Sequence, residues 1–204
     1  MYIPEIYKNN NPEEIKAFLE QNSFGILVNL TDGKLWATHI PMEFETNENG
    51  KQILFGHLAK ENPQWKSFTP TNEILAIFSG PQSYISPSWY DHENVPTWNY
   101  IAVHVYGTIK IVEGERLIEI LKKQIDKYEK NSENPVKIEN LSRETMKEAQ
   151  GVIAFEIEIT DIQAVKKMSQ NRDDKNYENI IVELKKTAKP SENAVAETML
   201  KCPR

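Results

Sequence analysis

Three stretches of this chain gather side chains able to hold a ligand or act on one. The first is Gly56–Trp65 (GHLAKENPQW), in which His57 and Lys60 precede an Asn62-Pro63 pair. Asn followed by Pro is an N-cap and first-turn signature, and the free N–H groups of a helix start attract anions. With Lys60 close by and Gly56 allowing close approach, this is a candidate phosphate cradle. The plainer alternative is a capped helix after a strand, with Lys60 in solvent. The second stretch joins Gly80–Tyr90 (GPQSYISPSWY) to Val95–Tyr100 (VPTWNY). Tyr84, Trp89, Tyr90, Trp98 and Tyr100, mixed with prolines and hydroxyls, suit a rigid wall for a flat ring or an interface between subunits. The third is Lys166–Arg172 (KKMSQNR), whose cations, hydroxyl and amides can donate to a phosphate or to ring carbonyls, or else form a solvated basic linker.

Other chemistries lack their residues. The chain has no Gly-rich dinucleotide fingerprint, no Walker loop, no nucleophile elbow and no pair of cysteines. Its four histidines, His39, His57, His92 and His104, are not at helical i,i+4 spacing. His39 and His57 could meet across neighbouring strands, but no third ligand is in view, so no metal site is expected.

The elements that position these residues are mostly strands. Phe24–Thr31 and Lys34–Met42 flank an Asp32-Gly33 hairpin signal, and Asn49-Gly50 precedes a third strand at Gln52–Phe55. Glu73–Phe78, Ser83–Ile85, Trp98–Val112 and Gly151–Thr160 bring the total to about seven. Helices are expected after the Asn11 cap, over Gly114–Lys130 with Leu117, Ile118, Leu121 and Ile125 on one face, and over Arg143–Gln150. Strands in mostly hairpin order with flanking helices predict an α+β fold built on an antiparallel barrel. Residues 1–168 form the expected barrel domain. Residues 169–204 form a charged extension, with one amphipathic helix near 176–186 and a final segment, 190–204, that is either disordered or an arm for a partner.

Composition bounds the partners. The chain has 204 residues, 39% of them hydrophobic, a net charge of −6 and one cysteine, Cys202. No apolar run approaches the ~20 residues that span a bilayer, the N-terminus shows no signal-peptide pattern, and a lone cysteine fits a reducing cytoplasm. The basic residues are scattered among acids and no recognition helix stands out, so direct DNA binding is not supported.

In order along residues 1–172, Tyr2–Pro4 (YIP), Ala37–Pro41 (ATHIP), Gly56–Trp65, Gly80-Pro81, Ser86–Tyr90 (SPSWY), Val95–Tyr100, Val103–Gly107 (VHVYG) and Lys167–Arg172 (KMSQNR) resemble the PaiB family of FMN-binding proteins, described as negative transcriptional regulators. The resemblance implies an FMN-binding split barrel similar to the pyridoxamine-phosphate-oxidase fold. It also implies a homodimer that packs barrel to barrel, with two FMN sites at the subunit interface. By position, Thr38 and His39 would lie along the flavin, and His57, Lys60 and Asn62 would hold the phosphate or ribityl chain. Trp98 and Asn99 would approach from the long strand. Lys167, Ser169, Gln170, Asn171 and Arg172 would close the site, from the same or the partner subunit.

Three functions are then open: a flavin-dependent redox protein, a regulator working through a ligand or protein partner, and a haem-binding or haem-degrading split barrel with a histidine as axial ligand. No acid–base pair or nucleophile is singled out, and the small-molecule substrate is not readable.

Overall fold

The computed structural model describes residues 1–202. Six strands, β1 (Phe24–Thr31), β2 (Lys34–Thr46), β3 (Gln52–Ala59), β4 (Glu73–Ile85), β5 (Thr97–Val112) and β6 (Val152–Lys167), close into a barrel in the order β1-β2-β3-β6-β5-β4. β1 pairs antiparallel with β2 and β4, and β3 with β2 and β6. The hairpin between β1 and β2 turns on Asp32 and Gly33, both at positive φ (50° and 74°), as a two-residue turn requires.

Among the described residues there are six strands where about seven were expected, because Ser83–Ile85 continues β4 instead of starting a new strand. Gly80 lies between the two expected strands. It permits close packing inside a continuous strand, since a Cβ there would meet the Phe18 ring at 2.7 Å.

Four α-helices accompany the strands: α1 (Pro12–Gln21), α2 (Gly114–Glu129), α3 (Asp174–Lys186) and α4 (Pro190–Lys201). Asn11 caps α1 as expected, its Oδ1 accepting from Glu13 N at 3.0 Å and Glu14 N at 3.3 Å. The helix expected at 143–150 is a 3₁₀ helix, Thr145–Gly151. Of the final segment, Pro190–Lys201 is helical and packed, and residues 203–204 lie outside the described residues: Val195, Ala196 and Met199 of α4 are buried in one cluster with Tyr177, Ile180 and Leu184 of α3. Three small or flexible apolar residues suffice because α3 turns its own apolar face to them. No helix among the described residues is long and apolar enough to cross a membrane.

The chain divides into two compact units. One comprises residues 19–78 and 105–162, the other 1–18, 79–104 and 163–204, and β4, β5 and β6 each contribute to both. The first unit has a core of Leu27, Met42, Leu54, Phe78, Ile109, Phe155 and Ile157. The core of the second is the α3–α4 cluster, with Ile85, Tyr90 and Met168.

Candidate functional site

The sequence-selected residues fall into two groups, one in each unit. Thr38, His39, His57, Lys60 and Asn62 belong to the unit of residues 19–78 and 105–162.

β2 sends successive side chains to opposite faces. Thr38 lies opposite Leu27, which is fully buried, and His39 opposite Ile26. The Thr38 hydroxyl donates to Gln64 Oε1 and accepts from Asn62 Nδ2 at 2.8 Å. Gln64 is fully buried, and its Nε2 donates to Leu27 O at 3.0 Å and to Asn29 Oδ1 at 2.8 Å. Asn62 Oδ1 takes the Gln64 N–H at 3.1 Å, so the free donor expected at this cap is spent within the chain. The segment that follows is a five-residue 3₁₀ helix, Pro63–Ser67. Thr38 and Asn62 thus belong to an internal polar network centred on Gln64.

His39, Lys60 and His57 face outward. His39 is exposed, with its ring centroid 6.4 Å from that of Phe24. Lys60 is exposed and has no carboxylate partner among the described residues. His57 Nδ1 lies 2.7 Å from Gln124 Oε1 on α2, and Gln124 Nε2 donates to Pro41 O at 3.3 Å. His57 and Gln124 line a cleft of about 410 Å³ with Pro41, Ile125, Tyr128 and Val136.

Trp98, Asn99 and Lys167–Arg172 belong to the other unit. Adjacent residues again part company. Trp98 is 53% exposed, with its ring 6.1 Å from Tyr84 in a T-shaped pair. Asn99 is fully buried and accepts from Ser169 Oγ at 3.0 Å. Ser169 sits at φ 57° and its carbonyl accepts from Arg172 N at 3.0 Å, which folds the segment back on itself. Gln170 secures the same turn through Met168 N (2.7 Å) and Lys166 O (2.6 Å), leaving Asn171 exposed.

Lys167 donates to Thr97 Oγ1 and lies over the Tyr7 ring, 5.7 Å from its centroid. Arg172 lies 4.9 Å over the Tyr90 ring. Neither cation has a carboxylate partner among the described residues, and Arg172 Nε and the buried Tyr90 hydroxyl have no hydrogen-bond partner. Burial, followed by repulsion from Arg172, pulls the Lys167 ammonium below the ordinary lysine range. Two neighbouring cations with no carboxylate partner among the described residues, beside unsatisfied buried donors, fit a phosphate or carboxylate.

The other histidines stand apart from these groups. His92 pairs with Asp91 at 2.9 Å on the surface. His104 is half-buried with Nδ1 unpartnered, and burial lowers its proton affinity.

Sequence reading missed Gln64, Gln124, Tyr7 and Thr97. A signal existed for Gln124: it falls on the apolar stripe of α2, three residues after Leu121 and seven after Leu117, where a polar residue must find a partner. Nothing local marks Gln64 as buried.

Residues 1–161 match the family described as "Putative FMN-binding domain". The chain is 44% identical over 200 residues to the "Protease synthase and sporulation protein PAI 2" of Bacillus subtilis, covering 98% of this chain and 96% of that protein. Among solved structures, the flavocytochrome Anf3 of Azotobacter vinelandii aligns with a TM-score of 0.64 and 16% identity, over 87% of this chain and 78% of that one. An FAD- and haem-binding protein of Mycobacterium smegmatis aligns with a TM-score of 0.63 and 14% identity, over 86% and 80%. At those identities the two structures share the fold, an antiparallel split barrel. The sequence match carries the kinship further, and this chain belongs to the PaiB-like family of FMN-binding split-barrel proteins.

Proposed function

We propose that the protein is an FMN-dependent redox protein that works as a homodimer in the cytoplasm. The observation that carries the reading is the half-buried cation pair Lys167 and Arg172, without a carboxylate partner among the described residues, in a chain whose family takes a phosphorylated flavin. When bound, FMN supplies hydride and electron transfer, and the polypeptide supplies binding, orientation and electrostatics.

In this reading Lys167 and Arg172 of one unit offer charge to a phosphate and Trp98 offers exposed ring surface, while the other unit offers the exposed Lys60 and the His39 ring. Thr38, Asn62, Asn99 and Ser169 act from behind, holding the backbone that carries those groups. Gln170 and Asn171 shape the turn that presents Arg172.

The dimer reading draws on the outer face of the barrel. β1 turns Phe24, Ile26, Val28 and Leu30 outward, β2 adds Leu35 and Ala37, and β4 adds Leu75 and Ile77. Phe24, Leu30 and Leu35 are 65%, 58% and 80% exposed. A contiguous apolar sheet face of this kind marks an association surface, and a second copy fits the family architecture.

Regulation is the second reading, prompted by the Bacillus relative's name. It would act through a ligand or protein partner. α4, the second helix of the C-terminal pair, carries Glu192 and Glu197 against a single Lys201, the wrong charge for lying along DNA.

The test is a visible spectrum of the purified protein after FMN addition and gel filtration, with light scattering for mass, followed by anaerobic NADH or NADPH. Retained flavin in a dimer, bleached by the nucleotide, is the expected result. Protein that emerges flavin-free and monomeric would sink the proposal.

A further inference from the structure

His57 is held by α2 through a single side chain. Gln124 is 5% exposed, and its amide orientation is fixed independently of the histidine: Pro41 O can only accept, so the atom 3.3 Å from it is the NH₂ group. Gln124 Oε1 therefore faces His57 Nδ1 at 2.7 Å, and because that oxygen can only accept, Nδ1 carries the proton.

Gln124 cannot easily drift. Arg116 pairs with Glu156 at 2.6 Å and Lys123 with Glu45 at 2.6 Å, which pins α2 to the barrel. Pro41 O is held equally close, for it lies 2.8 Å from where a Cβ on Gly56 would be, so only glycine lets β3 pass it. His57 Nε2 has no partner among the described residues.

We infer that Gln124 is a positioning residue that fixes the Nδ1–H tautomer in the neutral form of His57, so that Nε2 of that form receives an O–H or N–H donor and not a phosphate oxygen. A phosphate dianion offers acceptors alone and would face the Nε2 lone pair without a proton between them. A ribityl hydroxyl or a flavin ring N–H supplies that proton. The inference rests on the FMN reading for its ligand, and on this chain alone for its tautomer. It assigns His57 to the neutral part of the cofactor and not to its phosphate.

Two measurements test the two halves separately. The first is ¹⁵N NMR of histidine-labelled, flavin-free protein at about pH 8, where an ordinary imidazole is neutral, with His57→Asn for assignment. The wild type should show the Nδ1–H pattern. Gln124→Glu, which keeps an acceptor, should preserve it, and Gln124→Leu should shift the ring toward Nε2–H, with circular dichroism confirming that both variants fold. An Nε2–H ring in the wild type, or a tautomer indifferent to Gln124→Leu, would overturn the assignment.

The second is titration of the same proteins with FMN and with riboflavin. Gln124→Leu should weaken both by a similar factor, about 3- to 10-fold for one hydrogen bond, and Gln124→Glu by less. A loss confined to FMN would place the phosphate at His57 and refute the ligand half. If the wild type binds neither flavin, the ligand half falls with the FMN reading, while the NMR result still decides the role of Gln124.

Discussion

Thr38 and His39 are consecutive residues that serve opposite faces of β2: the Thr38 hydroxyl is bonded into the barrel at Gln64, and His39 stands in solvent beside Phe24. One is structural by position and the other is available to a ligand. Thr38→Val should therefore lower stability by about 1–2 kcal/mol, the cost of stranding buried partners, with FMN affinity little changed. His39→Ala should do the reverse. Urea unfolding and FMN titration of both variants check the division, and a stable Thr38→Val that has lost FMN would contradict it.

Gln64 is the hub of the interior network, and its replacement can be read in two ways. Gln64→Leu strands Leu27 O, Asn29 and Thr38 and should cost about 2–4 kcal/mol. Gln64→Glu places a carboxylate against two acceptors in a fully buried position and should be worse at neutral pH. Its folded-state proton affinity would be raised, so its stability should recover as pH falls and it takes up a proton, whereas Gln64→Leu should show no such recovery. Urea midpoints across pH separate the two.

These two cases also show what was legible in the sequence. Turns were, because their chemistry is local: Asp32-Gly33 and Asn49-Gly50 announce positive φ, and Asn11 announces a helix start. Alternation along a strand is equally plain, but it does not say which alternate set faces the core. That depends on register with Leu27 and Ile26, twelve or so residues away, so the pairs Thr38–His39 and Trp98–Asn99 could not be divided beforehand. The continuity of β4 through Gly80 was not legible because glycine signals both a turn and a close approach, and only the Phe18 ring packed against it decides between them. α4 was unreadable for a related reason: its apolar face is small, and what buries it is α3.

Glu156 gives the protein a defined acid limb. Burial raises its proton affinity, but hydrogen bonds from Lys110 and Arg116 outweigh this and hold the carboxyl below the usual glutamate range. A carboxylate depressed on folding contributes stability above its unfolded value of about 4.3, and that contribution is lost as pH falls through the folded value. Glu156→Gln should lower stability near pH 7 and flatten the loss below about pH 4. Thermal melts from pH 3 to 7 (an approximate window set by that ordinary carboxylate value) test it, and an unaltered acid limb would assign the effect to other carboxylates.

Trp98 is exposed and its only described ring partner is Tyr84, so removing it should disturb the monomer by less than about 1 kcal/mol. Any larger effect of Trp98→Ala must come from what the ring meets outside its own chain. Weakened flavin retention, or a dimer that dissociates in light scattering, is the expected outcome. Unchanged FMN affinity together with an unchanged dimer would remove Trp98 from the site.

Arg172 repels the half-buried Lys167 ammonium, and a bound anion would attract both cations at once. Removing either charge should therefore cost FMN affinity while slightly favouring the unliganded fold, a combination that a purely structural residue does not give. Riboflavin, which lacks the phosphate, should bind Lys167→Ala and Arg172→Ala about as well as it binds the wild type. FMN should lose on the order of 10-fold or more per charge. The pH dependence carries the same sign. Lys167 deprotonates below the ordinary lysine range in the unliganded protein, so FMN affinity should begin to fall at a pH under about 10.4, the unperturbed value. That decline should vanish in Lys167→Ala and be absent with riboflavin. Equal losses for both flavins would mean that this pair of cations supports the turn at Ser169 and does not meet the phosphate.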